Sequence, residues 1–275
     1  MLFMSAMQKI AFVINQSKPD AIDLANQLAQ IAVAHGLVIL STTQYHLPAD
    51  YLAGIDACVV IGGDGTILGT VQQAVLHQVP VLGINHGRLG FLTSLGKQDV
   101  IQGFHSFLDG ELQLSLRSVL KVEFCQGEPV YLLNDLVIKH SHRTRLLSLN
   151  ISKNKEWVNH YTADGLIVAT STGSTAYSLS AGGPIVHPHM DVLIVTPICP
   201  HTLSNRALIF ASDDELDIDC GEVDPPPYLS LDGQVYEERL PLFPLKVSLV
   251  QHKFKLFQPK GYSYYETLRT KLRWG

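Results

Sequence analysis

The sequence predicts an α/β domain built on a parallel, Rossmann-like sheet, followed by a β-rich, sandwich-like domain. Three observations carry this reading. Strand and helix patterns alternate through the first third of the chain. Two glycine-rich stretches, 62–65 and 83–90, each follow a strand pattern. Beyond about residue 113, strand patterns succeed one another without long helices between them. A length of 275 residues suits two modest domains. They are placed at 1–113 and 114–257, with 258–275 packing back on the first.

The first strand is expected over 9–14. Apolar spacing then predicts a helix over 19–35, with Ala25, Leu28, Ala29 and Ala32 on one face and Gly36 at its exit. Strands follow at 37–40 and 57–61, the second running into the glycine stretch. A helix over 67–77, a strand over 81–84 and a helix over 97–108 complete the unit. In such a layout ligands gather at the carboxyl ends of the strands. Strands are then expected at 118–125, 131–139, 146–152, 164–170, 192–196, 216–219, 228–231 and 245–252. Residues 262–274 are polar-aromatic with helical spacing.

Composition narrows the function. Apolar residues make up 46% and charged residues 16%, which fits a globular chain rather than a disordered one. A net charge of −5 with no basic block argues against a nucleic-acid partner. Cys58, Cys125, Cys199 and Cys220 are far apart, so a thiolate zinc site is not expected, and they read as buried thiols of a reducing compartment. No apolar run is long enough to span a membrane, and the apolar start is too short for a signal peptide. The expectation is a cytoplasmic protein without a membrane partner.

Four stretches can carry chemistry. In Gly62-Gly63-Asp64-Gly65-Thr66, glycines let backbone N–H groups approach a phosphate, and the following helix adds its positive end. The same residues also make an ordinary strand-to-helix turn, and no Walker lysine follows. Asp64 is the informative residue. A carboxylate about 4 Å from a phosphate charge costs roughly 4 kcal/mol at an effective dielectric near 20, about a thousandfold in affinity. It makes sense if a divalent cation bridges it, or if it takes a proton from an attacking hydroxyl.

The second stretch runs from Asp164 to Pro184 and ends a strand in clustered hydroxyls. There Ser174 or Thr175 is a candidate helix cap, the hydroxyls suit a sugar or phosphate, and Tyr177 suits a base. A capped helix packed through glycines is an equal alternative. In the third, Asn134-Asp135 interrupts an apolar strand. It suits ribose hydroxyls, although taken alone a bulge or Asx-turn is the favoured explanation. In the fourth, Asp232-Gly233-Gln234 reads as a hairpin turn. The pairs His140/His142 and His187/His189 lack a third ligand and read as surface or core histidines.

Together these stretches, with Gly83-Ile84-Asn85-His86-Gly87-Arg88-Leu89-Gly90-Phe91-Leu92-Thr93, resemble the NAD kinase family. The tail from Gly261 to Trp274 is similar to its bacterial branch. The loop G-G-D-G-T is shared with lipid kinases, whereas the long hydroxyl-rich motif is more selective. The resemblance implies transfer of the γ-phosphoryl of ATP to the 2′-hydroxyl of the adenosine ribose of NAD, at a site between an α/β and a β-rich domain. It implies Asp64 as general base, and Gly62, Gly63, Gly65 and Thr66 as the phosphate loop, with Asp64 and Gly65 also against NAD. Asn134 and Asp135 match the ribose-binding pair, and Asp164 an acidic residue on the nicotinamide side. Thr175, Ala176, Tyr177, Ser178, Leu179 and Ser180 match the segment around the adenosine. Gln234 matches a ligand-facing amide, Phe91 an aromatic wall near the adenine, and Arg145 a basic residue near the new phosphate.

The chain also departs from the family. Asp135 stands where many members have Glu, and Thr162 where some have Arg, a loss for which Arg145 compensates. His86 and Arg88 differ as well. Mg²⁺ is expected to be carried mainly by ATP, with Asp64 a candidate contact and no side-chain cage. NAD and ATP are the expected partners, in a homodimer or homotetramer. The rival readings are a diacylglycerol- or sphingosine-type lipid kinase and a non-catalytic dinucleotide sensor.

Overall fold

The computed structural model describes residues 7–85, 90–96, 99–140, 146–221, 226–236 and 242–274. The chain forms two compact units, residues 1–116 with 254–275 and residues 117–253.

The first unit alternates strand and helix in the order β1 (Lys9–Ile14), α1 (Ala21–Ala34), β2 (Val38–Thr42), β3 (Ala57–Gly62), α2 (Asp64–Leu68), α3 (Val71–Leu76), β4 (Val81–Asn85) and α4 (Val100–Leu108). The strands form a parallel sheet in the order β2-β1-β3-β4, and Leu256 of a late strand pairs with Val81 beside β4. Every residue of β3 is buried, which explains its unbroken run of small and β-branched side chains. Helix α1 buries Ala21, Leu24, Ala25, Leu28 and Ala32, one stripe at helical spacing, while Ala29 of the expected face is only half-buried. Gly36 at φ 82° follows its end. Phe107 of α4 packs edge-on against Phe257 at 5.0 Å, and Phe104 lies 6.2 Å from Phe12. The C-terminal helix Tyr264–Leu272 belongs to this unit, and Ser263 caps it by accepting from the Glu266 N–H.

The expected helix over 67–77 is two helices. The first begins at Asp64, so the carboxylate and Gly65 lie in its opening turn rather than ahead of it. It ends where the Thr70 hydroxyl and N–H both turn back to the Ile67 carbonyl, at 2.7 and 2.9 Å. Gly69 lies there against the Tyr45 carbonyl, where a Cβ would come within 3.0 Å.

The second unit is built from β5 (Gln113–Glu123), β6 (Val130–Leu132), β7 (Asp135–Lys139), β8 (Leu147–Lys153), β9 (Glu156–Ala163), β10 (Gly165–Ala169), α5 (Tyr177–Ser180), β11 (Val192–Ile198), β12 (Leu208–Ala211), β13 (Glu215–Asp219), β14 (Tyr228–Leu231), β15 (Gln234–Val235) and β16 (Leu245–Gln258), with the first residues of β5 and the last of β16 in the first unit. One layer is a six-stranded antiparallel sheet in the order β12-β11-β10-β7-β14-β15. The other pairs β16, β13, β8 and β9 antiparallel, with β5 paired to β6. The core takes Leu136, Ile138, Leu166 and Val168 from the first layer. From the second it takes Leu149, Ile151, Leu216, Ile218, Leu245 and Val247. This is sandwich packing. The far face of the first layer is covered as well: Ile167, Ala169 and Ile194 lie under Val186, Tyr177 and Ala181.

Strand β9 went unforeseen because much of Glu156–Ala163 faces outward on polar side chains. It follows a tight turn in which Asn154 and Lys155 have φ 49° and 70°, the backbone of a two-residue hairpin loop. Cys58 and Cys220 are buried as expected, but Cys125 and Cys199 are exposed. No described helix is long and apolar enough to cross a membrane.

Candidate active site

The glycine loop leaves the carboxyl end of β3 beside that of β1. In the order β2-β1-β3-β4 the chain reverses direction between these two strands, the switch point at which open α/β sheets bind ligands. The Asn15 N–H donates to the Ile61 carbonyl at 2.9 Å and ties the two ends together. Thr66 is buried and its hydroxyl accepts from the Gly63 N–H at 3.4 Å and the Asn15 amide at 3.3 Å. A Cβ on Gly62 would fall on that hydroxyl, so Gly62 permits the turn. Gly63 and Gly65 have no such neighbour: a Cβ at either meets nothing within 4 Å.

Asp64 is half-buried at the start of α2, and its carboxylate is gripped from one side. The N–H groups of Phe91 and Leu92 donate to its two oxygens at 2.9 and 3.2 Å. A Cβ on Gly90 would overlap the same carboxylate, so only glycine lets the segment come this close. Each oxygen keeps a further lone pair for a proton or a hydroxyl. The Phe91 ring lies 6.3 Å from Tyr264.

In the second unit, Asn134 falls in a break between β6 and β7, and Asp135 is the first residue of β7. The break is held from two directions. The Asp232 carboxylate accepts the N–H groups of Leu133, Asn134 and Asp135 at 2.8, 2.7 and 3.0 Å. The Thr170 hydroxyl donates to the Leu133 carbonyl at 2.5 Å and its N–H to the Asn134 carbonyl at 2.9 Å. Gly173 packs against the Asn134 backbone where any Cβ would collide. Asp135 is buried, and burial pushes its carboxyl up to about 6 against the opposing Tyr177 N–H. Burial likewise pushes Asp232 up to about 7; its three N–H donors pull it down and Asp135 pushes it up.

The hydroxyl-rich segment is largely self-satisfied. Ser174 donates to Ser171 and Val186 carbonyls at 2.7 and 3.1 Å and accepts the Val186 N–H at 3.0 Å. Ser178 is fully buried and pairs with Thr196 at 2.9 Å. The Thr175 hydroxyl turns to the Thr172 carbonyl at 3.2 Å. Neither Ser174 nor Thr175 caps α5; Ala176 occupies that position, and no side chain closes it. Ala176, Tyr177 and Leu179 are half-buried and Ser180 is exposed. Lys139 donates to the Tyr177 hydroxyl, and the Tyr177 ring packs on the Ile167 and Ala169 cluster.

Strand pairing sets Asp135 opposite Ala169 and Lys139 opposite Gly165. Asp164, which is exposed, therefore lies at the other end of β10 from the Asn134-Asp135 pair, roughly 16 Å along the strand. Gln234 opens β15 opposite Leu231, across the Asp232-Gly233 turn, whose residues have φ 49° and 82°. Thr162 lies on β9, and its carbonyl accepts the His201 N–H at 2.8 Å. His187 and His189 meet edge-on at 5.1 Å. Arg145, His86, Arg88 and His142 lie outside the described residues. Two devices escaped sequence reasoning, the Phe91-Leu92 amides on Asp64 and the Asp232 grip on 133–135. The Asp-Gly turn was legible, but its partners lie 97 to 99 residues away.

Comparison with known proteins agrees with this layout. The sequence model of the ATP-NAD kinase N-terminal domain matches residues 42–112, and that of the ATP-NAD kinase C-terminal domain matches residues 133–258. The NAD kinase of Geotalea daltonii is 36% identical, covering 98% of this chain and 99% of that protein. The NAD kinase of Symbiobacterium thermophilum is 38% identical, covering 97% and 99%. Among solved structures, yeast NADH kinase complexed with NADH has a TM-score of 0.84 at 23% identity, covering 98% of this chain and 89% of that one. An NAD kinase from Archaeoglobus fulgidus in complex with ATP has a TM-score of 0.75 at 21% identity, covering 97% and 99%. These structural likenesses speak for the fold, and the sequence relatives for the family: the chain belongs to the NAD kinase family.

Proposed function

We propose that the chain transfers the γ-phosphoryl of ATP to the 2′-hydroxyl of the adenosine ribose of NAD, with Asp64 as the general base. The observation that carries the assignment of Asp64 is its grip by the Phe91 and Leu92 amides at the switch point of the parallel sheet. A carboxylate beside a phosphate loop is unfavourable unless a cation bridges it or it has a proton to accept, and two amides that fix its orientation suit the second task. The 2′-oxygen attacks the γ-phosphorus, its proton passes to Asp64, and the bond to the β-phosphate oxygen breaks, releasing ADP.

The acceptor is assigned to the second unit. Asn134 and Asp135 suit ribose hydroxyls, the half-buried residues of 175–179 suit the adenosine, and Asp164 suits the nicotinamide end. The distance between Asp135 and Asp164 along β10 is of the order an extended dinucleotide covers. Among the described residues no group of three or more His, Cys, Asp or Glu side chains is placed to hold a metal. A Mg²⁺ carried by the triphosphate would supply charge neutralisation there.

Asp64→Asn tests the role. It should bind NAD as the native chain does while turnover falls about a hundred- to ten-thousandfold. Native turnover in that variant would remove Asp64 from the chemistry.

A further inference from the structure

The Asp232-Gly233 turn has a second use beyond joining two strands. Residues 133 and 134 fall between β6 and β7 and Asp135 opens β7, so three successive N–H groups at the break need partners. One carboxylate accepts all three. The three carbonyls are met as well: Thr170 takes those of Leu133 and Asn134, and the Asp232 N–H takes that of Asp135 at 2.9 Å. Two residues thus satisfy the whole backbone of the break. A continuous strand would send Asn134 and Asp135 to opposite faces of the sheet, and the break lifts that constraint.

The arrangement is expensive. Asp232 and Asp135 are both buried, and the Asp135 charge raises the cost of ionising Asp232. A turn alone needs none of this, since asparagine serves equally well at that position. A full carboxylate is needed only for the grip, because it accepts on both oxygens whereas an amide accepts on one.

We propose that Asp232, with Thr170, is a positioning residue for the acceptor nucleotide: it fixes the backbone of 133–135 and so sets where the Asn134 amide and the Asp135 carboxylate meet the ribose. The proposal rests on the reading of that pair as the NAD-binding one. In Asp232→Asn the turn is kept, the amide oxygen retains the Asn134 and Asp135 N–H groups, and the amide nitrogen faces the Leu133 N–H, donor against donor.

The test is NAD binding by calorimetry without ATP, together with steady-state kinetics and thermal unfolding. The expected result is a dissociation constant and a KM for NAD raised about tenfold or more, with the KM for ATP within about twofold of native. Thr170→Val loosens the same segment from the carbonyl side and should show the same split; it carries the test if Asp232→Asn does not fold. Native NAD affinity in the variant measured overturns the proposal. So does a parallel loss of NAD binding, ATP binding and folding, which is what a purely structural residue gives. A native chain that binds NAD but forms no NADP would defeat the kinase reading and leave this proposal standing.

Discussion

Replacing Asp135 by asparagine should stabilise the protein while weakening its grip on NAD. Burial raises the carboxyl from 3.8 to about 6. The folded state therefore holds this proton more tightly than the unfolded state does. Below pH 3.8 the group is neutral in both states, and its contribution is fully present. As pH rises towards 6 the unfolded chain releases the proton first, and stability falls. Above about pH 6 the ionised carboxylate is a standing cost. Two pH units at about 1.4 kcal/mol each make it about 3 kcal/mol. The asparagine amide still accepts the Tyr177 N–H and carries no charge. It also relieves Asp232, which the Asp135 charge pushes up. Urea unfolding near pH 8 should show Asp135→Asn more stable by up to about 3 kcal/mol, and the gain should vanish near pH 4. The same variant should bind NAD more weakly, a stability–function exchange expected of a binding group. A gain of equal size at both pH values, or none near pH 8, would refute the electrostatic account of this residue.

Two further substitutions probe the packing. Gly90→Ala places a methyl group on the Asp64 carboxylate; turnover should fall about a hundredfold, on the scale of a misplaced catalytic group, and by a larger factor than NAD affinity measured by calorimetry. Tyr161 is buried in the second core, and its hydroxyl has no hydrogen-bond partner among the described residues. Tyr161→Phe should therefore leave unfolding free energy unchanged or raise it by up to about 1 kcal/mol, whereas Tyr161→Ala should lower it by about 3 to 5 kcal/mol. A loss of more than about 2 kcal/mol in the phenylalanine variant would show that the hydroxyl is satisfied.

The parts legible in the sequence were those written in local pattern. The buried strand β3 showed as an apolar run, α1 as a stripe at helical spacing, and the Asp232-Gly233 turn as an Asp-Gly pair between strands. What escaped depends on partners distant in the chain. The helix start at Asp64 was hidden because its cap, Gly63, carries no side chain, and Thr66 closes the turn instead. The hydroxyl-rich segment announced itself by composition, but composition does not tell a ligand-facing hydroxyl from an internal one. Ser174 and Ser178 turn inward to Val186 and Thr196. The carboxylate of Asp64 stood out as a charge in a glycine loop, yet the amides that aim it lie 27 and 28 residues on.

The central claim is that the γ-phosphoryl of ATP goes to NAD. Purified protein with Mg²⁺ and γ-labelled ATP, offered NAD together with diacylglycerol and a sphingoid base, tests it directly. The account predicts label in the 2′-phosphate of NADP and none in lipid. Label in lipid in preference to NAD, or NAD bound without any transfer, would contradict it.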